Sequence, residues 1–417
     1  MSLQRTRPEV KMSTYIGIDW SKEKHDICIL NEAGTPIARH IIAHSPEGFQ
    51  KLEKLRKQLG LKVGECQVGI ETAHSLLIDF LWGHGYHQIF VIPPGVIHSS
   101  RSRYRQSGAR TDQSDAFVIA DVLRTDRARL QLWQPDHVLT RQIRSQVGLL
   151  DHLTHHCVQF SNRLRSVLWR YYPAALSVFS EIDSQITLEF VRRYSTPQDA
   201  ADLTFAEFEA FALSHRYPNP RRLRACFAKL QQSQPQADPD TVLIFKDQAA
   251  QLATALLDLV QMKTAGLRDL RHLFEQHPDA PIFASLPGAG KLLAPALLTK
   301  FGDDRTRFPT PASVQALAGT CPVTQSSGKK RVVKFRRACD REFRRIAHLW
   351  ARESLAQSIW ANAYWEQVRP HCDSKSHAYR CLANRWLAVA WKLWQTRQLY
   401  DEDYHLQQRA KHSKPRE

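Results

Sequence analysis

Residues 15–19 read YIGID, and this stretch restricts the fold more than any other in the chain. β-Branched and aromatic residues alternate with Gly17, and the run ends on a carboxylate. That pattern predicts a buried strand delivering Asp19 at its carboxyl end. An acid there is costly to bury unless something pairs with it. Three later acids are candidates to share its surroundings. Glu71 closes a second strand-like run, QVGIET. Asp112 and Asp115 stand three apart in ARTDQSDAFVIAD, so on a helix they project from one face. Four hard oxygen ligands, two from strand ends and two from one helical turn, suit Mg²⁺ or Mn²⁺.

The surrounding pattern is alternately strand and helix. HDICIL (25–30) and residues 37–44, separated by the turn cluster NEAGT, complete an antiparallel three-strand meander. Ser45 before Pro46 predicts a helix start, with Phe49, Leu52, Leu55 and Leu59 at helical spacing. A helix over 75–84 and a strand over 88–93 follow the Glu71 strand. The order βββαβαβ and then helix predicts an α/β domain with a mixed sheet. Acids on the first strand, the fourth strand and a later helix make it resemble the RNase H-like fold in its RuvC-like form. The resemblance implies two-metal phosphodiester chemistry.

Charge narrows the partner. The chain holds 58 Lys+Arg against 41 Asp+Glu, a net +17, which favours a polyanion. The basic residues cluster. SSRSRYRQSGAR (99–110) holds Arg101, Arg103, Arg105 and Arg110 around Tyr104, a set suited to phosphate contacts and base stacking. A solvated basic loop is the plainer reading. Between 329 and 345 lie Lys329, Lys330, Arg331, Lys334, Arg336, Arg337, Arg341, Arg344 and Arg345, opposed only by Asp340 and Glu342. That density predicts a phosphate-binding face. Ser327 precedes Gly328 at the mouth of this tract. A serine there could attack a phosphodiester while nearby cations stabilise the developing charge; an ordinary Ser-Gly turn is the alternative. SLPGAGK (285–291) resembles the turn of helix-hairpin-helix DNA binders, with Gly288 and Gly290 letting backbone N–H groups approach a phosphate. It lacks the Walker pattern GxxxxGK[ST].

The middle of the chain reads as helix. Leu153, Cys157, Phe160, Leu164, Val167 and Tyr171 form a heptad seam, as do Leu252, Leu256, Val260, Lys263, Leu267, Leu270 and Phe274. Two long helices pairing antiparallel as a coiled-coil stalk are expected, with core packing or dimerisation as the role of the seam. The expected divisions are an α/β domain over 13–135, a helical coiled-coil domain over 136–278, a mostly α domain over 279–400 and a polar tail over 401–417.

The eight cysteines include no CxxC pair, which favours free thiols in a reducing cytoplasm. His371-Cys372 and Cys381 fit no common zinc spacing and are read as structural. No apolar run approaches the roughly 18 residues of a membrane span. The first residues, MSLQRTRPEVKMS, lack the apolar stretch of a secretory signal.

Taken together, YIGIDWS, GIET, ARTDQSDA, LPGAGKLLAPALL, LAGTCPVTQSSGKK and RRACDREFRRIAHLWA resemble the transposases of the insertion-sequence 110 family, the DEDD transposases. The resemblance covers about 15–395. It implies an N-terminal RuvC-like domain, a coiled-coil middle and a C-terminal transposase domain with a serine nucleophile. It further implies DNA recombination through a serine–DNA covalent intermediate, assisted by Mg²⁺ on Asp19, Glu71, Asp112 and Asp115 across a composite site. The family serine precedes the glycine of the turn and maps to Ser327, with Ser326 adjacent. Members work with a structured non-coding guide RNA and as homo-oligomers, in the bacterial cytoplasm at the nucleoid. Cys321 departs from the family, where many members carry Ala. The alternatives are a metal-only structure-selective nuclease of RuvC type, which needs the acids but not Ser327, and a non-catalytic nucleic-acid-binding protein, which needs neither.

Overall fold

The structure is a computed structural model that describes residues 13–73, 75–104, 112–232, 235–328 and 330–412, with Asp112, Ala410 and His412 described in their backbone only. Arg105, Arg110 and Lys329 lie outside the described residues. The chain divides into two compact units, 1–135 and 136–417.

In the first unit the strands are β1 (Thr14–Trp20), β2 (Lys24–Leu30), β3 (Pro36–Ala43), β4 (Cys66–Ile70), β5 (Ile89–Val91) and β6 (Leu132–Trp133). They form a sheet in the order β3-β2-β1-β4-β5-β6. The meander β1–β2–β3 is antiparallel, β1 pairs parallel with β4, and β4 with β5. The mixed sheet is as expected. Two elements escape sequence reading: the two-residue β6, which is too short to carry a period, and a helix at 94–101, hidden under the basic tract.

The helices are α1 (Pro46–Gln58), α2 (Leu76–Gly83), α3 (Pro94–Arg101) and α4 (Asp112–Asp126). Ser45 caps α1 by accepting from the Gly48 amide, and Pro46 sits in its first turn. Its buried Phe49 and Leu52 join the core on one face of the sheet. The other face belongs to α4, and two glycines admit it. A Cβ on Gly17 would lie 2.1 Å from the Ala116 carbonyl oxygen and 2.5 Å from the Ala120 nitrogen. A Cβ on Gly69 would lie 2.9 Å from Ile119 Cγ2. Helix and sheet backbones therefore approach more closely than any side chain allows.

The second unit is built on two long helices, α5 (Val138–Tyr171) and, later in the chain, a 37-residue helix at Pro239–Glu275. Between them run five short helices, α6 to α10 (Ala175–Val178, Gln185–Arg193, Pro197–Ala201, Phe205–Ser214 and Leu223–Leu230), so the later long helix is α11. Gly266 of α11 packs on Gln146 and Leu150 of α5, whereas Tyr171 at the other end of α5 senses the charge of Asp247. The pair is therefore antiparallel. Of the α5 seam, Leu153, Cys157, Leu164, Val167 and Tyr171 are buried and Phe160 is partly so. The α11 seam is rotated from the reading: Ala249, Ala253, Leu256, Leu257, Gly266 and Leu270 are buried, while Leu252, Val260, Leu267 and Phe274 are only partly so. Small residues take the line of closest approach and the large ones flank it.

The rest comprises α12 (Ala280–Ala284), α13 (Gly290–Phe301), α14 (Pro311–Leu317), a hairpin of β7 (Val323–Ser327) and β8 (Lys330–Lys334), then α15 (Arg341–Ser354), α16 (Ile359–Val368), α17 (Lys375–Thr396) and α18 (Glu402–His412). One end of the long pair shares a core with α6–α10. At the other end Ile143, Val147, Leu150 and Leu270 join Phe301, Trp350, Trp386 and Trp394. The stalk thus has no core of its own; each half belongs to a globular cluster.

A polar knot fixes the start of α5. Asp303 accepts from the His137 amide at 2.6 Å and from the Thr140 hydroxyl at 2.7 Å, with His277 Nε2 3.3 Å away. His277 Nδ1 accepts from the Asp279 amide, so its proton sits on Nε2, toward Thr140 and Asp303. Burial pushes the Asp303 carboxyl up, but these hydrogen bonds outweigh it and hold the pKa at about 2, below the ordinary 3.8.

Two outcomes follow. Gly17→Ala forces α4 off β1 and lowers stability by about 3 kcal/mol, read as a fall in the melting midpoint; a variant melting like wild type would mean that α4 is not seated there. Asp303→Asn removes stability that is present above the unfolded carboxylate pKa. Its melting deficit should be full at neutral pH and close as pH falls from about 4 toward 2. A deficit independent of pH would rule out the ionised carboxylate as its source.

Candidate functional site

Side chains two apart on a strand share a face, so Asp19 projects where Gly17 does and Glu71 where Gly69 does, toward α4. The printed register pairs Ile18 with Ile70, which sets Asp19 and Glu71 side by side at the carboxyl ends of neighbouring parallel strands. Helix α4 runs opposite to β1. Its Arg124, near its C-terminus, reaches Gly34 and the Glu32 carbonyl beyond the amino end of β1. Its first turn, with Asp112 and Asp115, therefore points to the end where Asp19 sits.

Asp115 is held by Arg101 of α3 in a bidentate pair, Nε to Oδ1 at 2.8 Å and Nη2 to Oδ2 at 2.6 Å. Among the described residues, Asp19, Glu71 and Asp115 do not gather their oxygens within 4.8 Å of one another. A guanidinium supplies the positive charge that the acidic sheet end demands. The donor set itself, carboxylate oxygens on rigid strand ends and one helix turn, fits a hard divalent cation. Sequence reading missed a fifth acid. Asp26 on β2 lies opposite Asp19 in register, on the same face, and is 3% exposed. Its signal was an acid inside the apolar run HDICIL.

The described part of the first basic tract, residues 99–104, differs from the substrate-facing set expected of it. Arg101 is committed to Asp115, and Arg103 lies 3.5 Å from Asp126. Tyr104 is anchored although 39% exposed: its ring meets Phe117 edge-on at 5.2 Å and its hydroxyl donates to the buried Asp121. Burial and that bond push the Tyr104 pKa up to about 12.

In the second unit, the Gly288–Gly290 turn also differs from expectation. Gly288 has φ +75° and is buried; a Cβ there would lie 2.3 Å from the Ser354 nitrogen of α15. Its amide donates to Gln357 at 2.8 Å. Gly288 therefore serves helix packing and has no N–H left for a phosphate. Gly290, with φ +55°, is exposed at the start of α13 with nothing near its missing Cβ.

Ser327 ends β7 and pairs with Lys330; Ser326 pairs with Arg331. Gly328, which follows Ser327, has φ +53°, a left-handed conformation that suits glycine. Alternation puts Ser327 and Lys330 on one face of the hairpin and Ser326 and Arg331 on the other. Almost the whole hairpin is exposed, Val333 at 61%. Among the described residues, no side chain hydrogen-bonds to the Ser327 hydroxyl.

The basic tract that follows divides in two. Lys330, Arg331, Lys334 and Arg337 are exposed, whereas Arg336 is half-buried. Arg344 is not surface charge: it donates to the Arg336 carbonyl at 2.6 Å and its guanidinium stacks 4.5 Å over Phe335. Arg380 of α17 covers the same ring at 4.7 Å. Burial, aided by Arg380 and Arg344, holds His348 down at about 4, so it adds no charge near neutral pH. Arg345 pairs with Asp151 of α5 at 2.6 Å. Arg344 thus spends its charge within the fold, whereas Arg345 is held in an ion pair at the surface.

Two family models match the chain. Residues 16–173 match one for DEDD transposases of IS110, described as a transposase, and residues 280–366 match one described as "Transposase IS116/IS110/IS902 family". A Streptomyces coelicolor protein described as "Mini-circle putative transposase for IS117" is 32% identical over 405 residues, which is 94% of this chain and 97% of that protein. An uncharacterized 43.6 kDa protein of insertion element IS110, also from S. coelicolor, is 25% identical over 91% of this chain and 93% of its own length. Its counterpart in element IS116 of Streptomyces clavuligerus is 23% identical over 93% and 96%.

The division among the arginines is testable. Joint Lys334→Ala and Arg337→Ala should weaken DNA binding across sequences and reduce the salt slope by about one per lost phosphate contact, at an unchanged melting midpoint. Arg344→Ala should instead cost about 1–3 kcal/mol of stability. Equal effects on melting from both variants would erase the distinction.

Proposed function

The chain belongs to the IS110 family of insertion-sequence transposases, and from that premise we propose a site-specific DNA recombinase in which an RNase H-like acidic site and a hairpin serine serve one reaction. The observation that carries the reading is the placement of Asp19 and Glu71 at one end of paired parallel strands, beneath the helix turn that bears Asp115. DNA is the substrate. No helix among the described residues is long and apolar enough to cross a membrane.

Asp19, Glu71, Asp112 and Asp115 would hold Mg²⁺ or Mn²⁺, which supplies Lewis-acid polarisation of a phosphate oxygen. Arg101 keeps Asp115 in place and neutralised until then. Ser327 Oγ forms a new ester bond to phosphorus, the bond from phosphorus to one deoxyribose oxygen breaks, and the departing oxygen takes the proton. The phosphoserine ester conserves the bond energy for rejoining. Lys330 beside Ser327, with Lys334 on the same face of the hairpin, steadies the phosphate. A structured non-coding RNA of the same element, which pairs with donor and target DNA, and a homo-oligomeric assembly complete the reading; the family resemblance supports both.

One observation favours a second reading. With no base hydrogen-bonded to Ser327 among the described residues, the acids alone could act as a RuvC-type nuclease on structured DNA. Trapping under denaturing conditions separates the two. The recombinase yields a covalent protein–DNA adduct that maps to Ser327, is lost in Ser327→Ala and survives in Ser326→Ala. Loss only in Ser326→Ala would move the nucleophile to the other face of the hairpin. Active wild-type protein with no adduct would leave the metal-only nuclease standing.

A further inference from the structure

Far along the chain from both the acids and the serine, the fold gathers three residues that the sequence holds apart. Cys372 follows the single turn Arg369–His371 after α16; His377 and Cys381 are four residues apart on α17 and so share a face. The two sulfurs and a ring nitrogen of His377 all lie within 4.8 Å of one another. We propose that Cys372, His377 and Cys381 form a Zn²⁺ site that clips the segment after α16 to the first turns of α17. His371 had drawn attention in the sequence; the helix brings in His377 instead, in a C-x4-H-x3-C spacing.

The chemistry selects the ion. Two thiolates and an imidazole are soft and borderline donors, unlike the all-oxygen set at the sheet end, and tetrahedral Zn²⁺ takes such a set. Ligand atoms bound at about 2.0–2.3 Å from one ion sit roughly 3.5–4 Å apart, within the observed spacing. The backbone is already fixed for the purpose. The Cys372 amide donates to the Arg369 carbonyl at 3.2 Å, and Arg369 Nη1 donates back to the Cys372 carbonyl at 3.1 Å. The His377 amide donates to the capping Ser374 hydroxyl at 3.1 Å. Asp373, its side chain 99% exposed, lies 3.6 Å from His377 Nδ1, where a carboxylate orients a ligating imidazole. The fourth position is left to water.

The clip has a consequence for the basic loop. Arg380, adjacent to Cys381, covers one side of Phe335, and Trp365 of α16 stacks on Tyr379 at 4.3 Å. Fixing the first turns of α17 fixes the cation that pins the loop leading from the Ser327 hairpin. Metal loading is thereby coupled to the order of the polyanion-binding tract.

The test uses the full chain, reduced and freed of metal. Co²⁺ titration should give thiolate-to-cobalt charge-transfer and tetrahedral d–d bands that saturate at one equivalent and bleach when Zn²⁺ is added. Zn²⁺ should shield Cys372 and Cys381 from alkylation while leaving Cys321 and Cys339 as reactive as before. Zn²⁺ should raise the melting midpoint of wild type and not that of Cys381→Ser or His377→Gln, whose metal-free midpoints match metal-free wild type. Absence of thiolate bands, equal shielding of all four cysteines, or bands that persist in Cys381→Ser would overturn the site. So would a Cys372–Cys381 disulfide in protein purified without oxidant, since it consumes both thiolates. Should the variants fail to fold, the cobalt spectrum and the alkylation pattern of wild type decide alone.

Discussion

The first unit depends on one close approach, that of the α4 backbone to β1 at Gly17. A helix normally stands about 10 Å off a sheet because side chains intervene. Here two glycines on neighbouring strands remove them, and the helix settles onto the sheet. The acids follow from that contact. Asp19 and Glu71 are two residues beyond the glycines, on the same face, at the point where α4 begins. The glycines seat the helix, and the helix turn then carries Asp115 to the sheet end. Moving the helix by one side chain's thickness would draw Asp115 away from the sheet end that carries Asp19 and Glu71.

This explains which residues were legible in the sequence. Asp19 and Glu71 each end a strand pattern, and Asp112 with Asp115 repeat at helical spacing, so period alone nominates them. Asp26 is more deeply buried than Asp19, Glu71 or Asp115, but it sits inside an apolar run, where period says nothing of cross-strand neighbours. Gly288 was misread for the opposite reason. A glycine near a helix start suits a phosphate or a packed backbone, and only the position of α15 decides between them. The α11 seam was read from its large residues, whereas antiparallel helices in close contact put alanine and glycine on the line of contact. His377 was invisible because its partner Cys372 belongs to another element.

Net charge proved a coarse guide in the same way. The excess of +17 is real, yet Arg101, Arg344 and Arg345 lie against carboxylates, a carbonyl or an aromatic ring. Guanidinium groups favour such duty because they are planar and weakly hydrated. Exposed cations such as Lys330, Arg331, Lys334 and Arg337 carry more of the field that a polyanion would meet. A count of basic residues overstates that field, and the overstatement is largest where arginines are densest.

The β7–β8 hairpin is the exception to all this bracing. It is two strands with almost no buried surface, and such a ribbon is marginal in water by itself. Its outer edges are bare, so backbone donors and acceptors on both sides await another strand or a solvating partner. A serine placed there inherits its coordinates from whatever the ribbon lies against. Lys330, Arg331 and Lys334, exposed on the other strand of the ribbon, share that dependence.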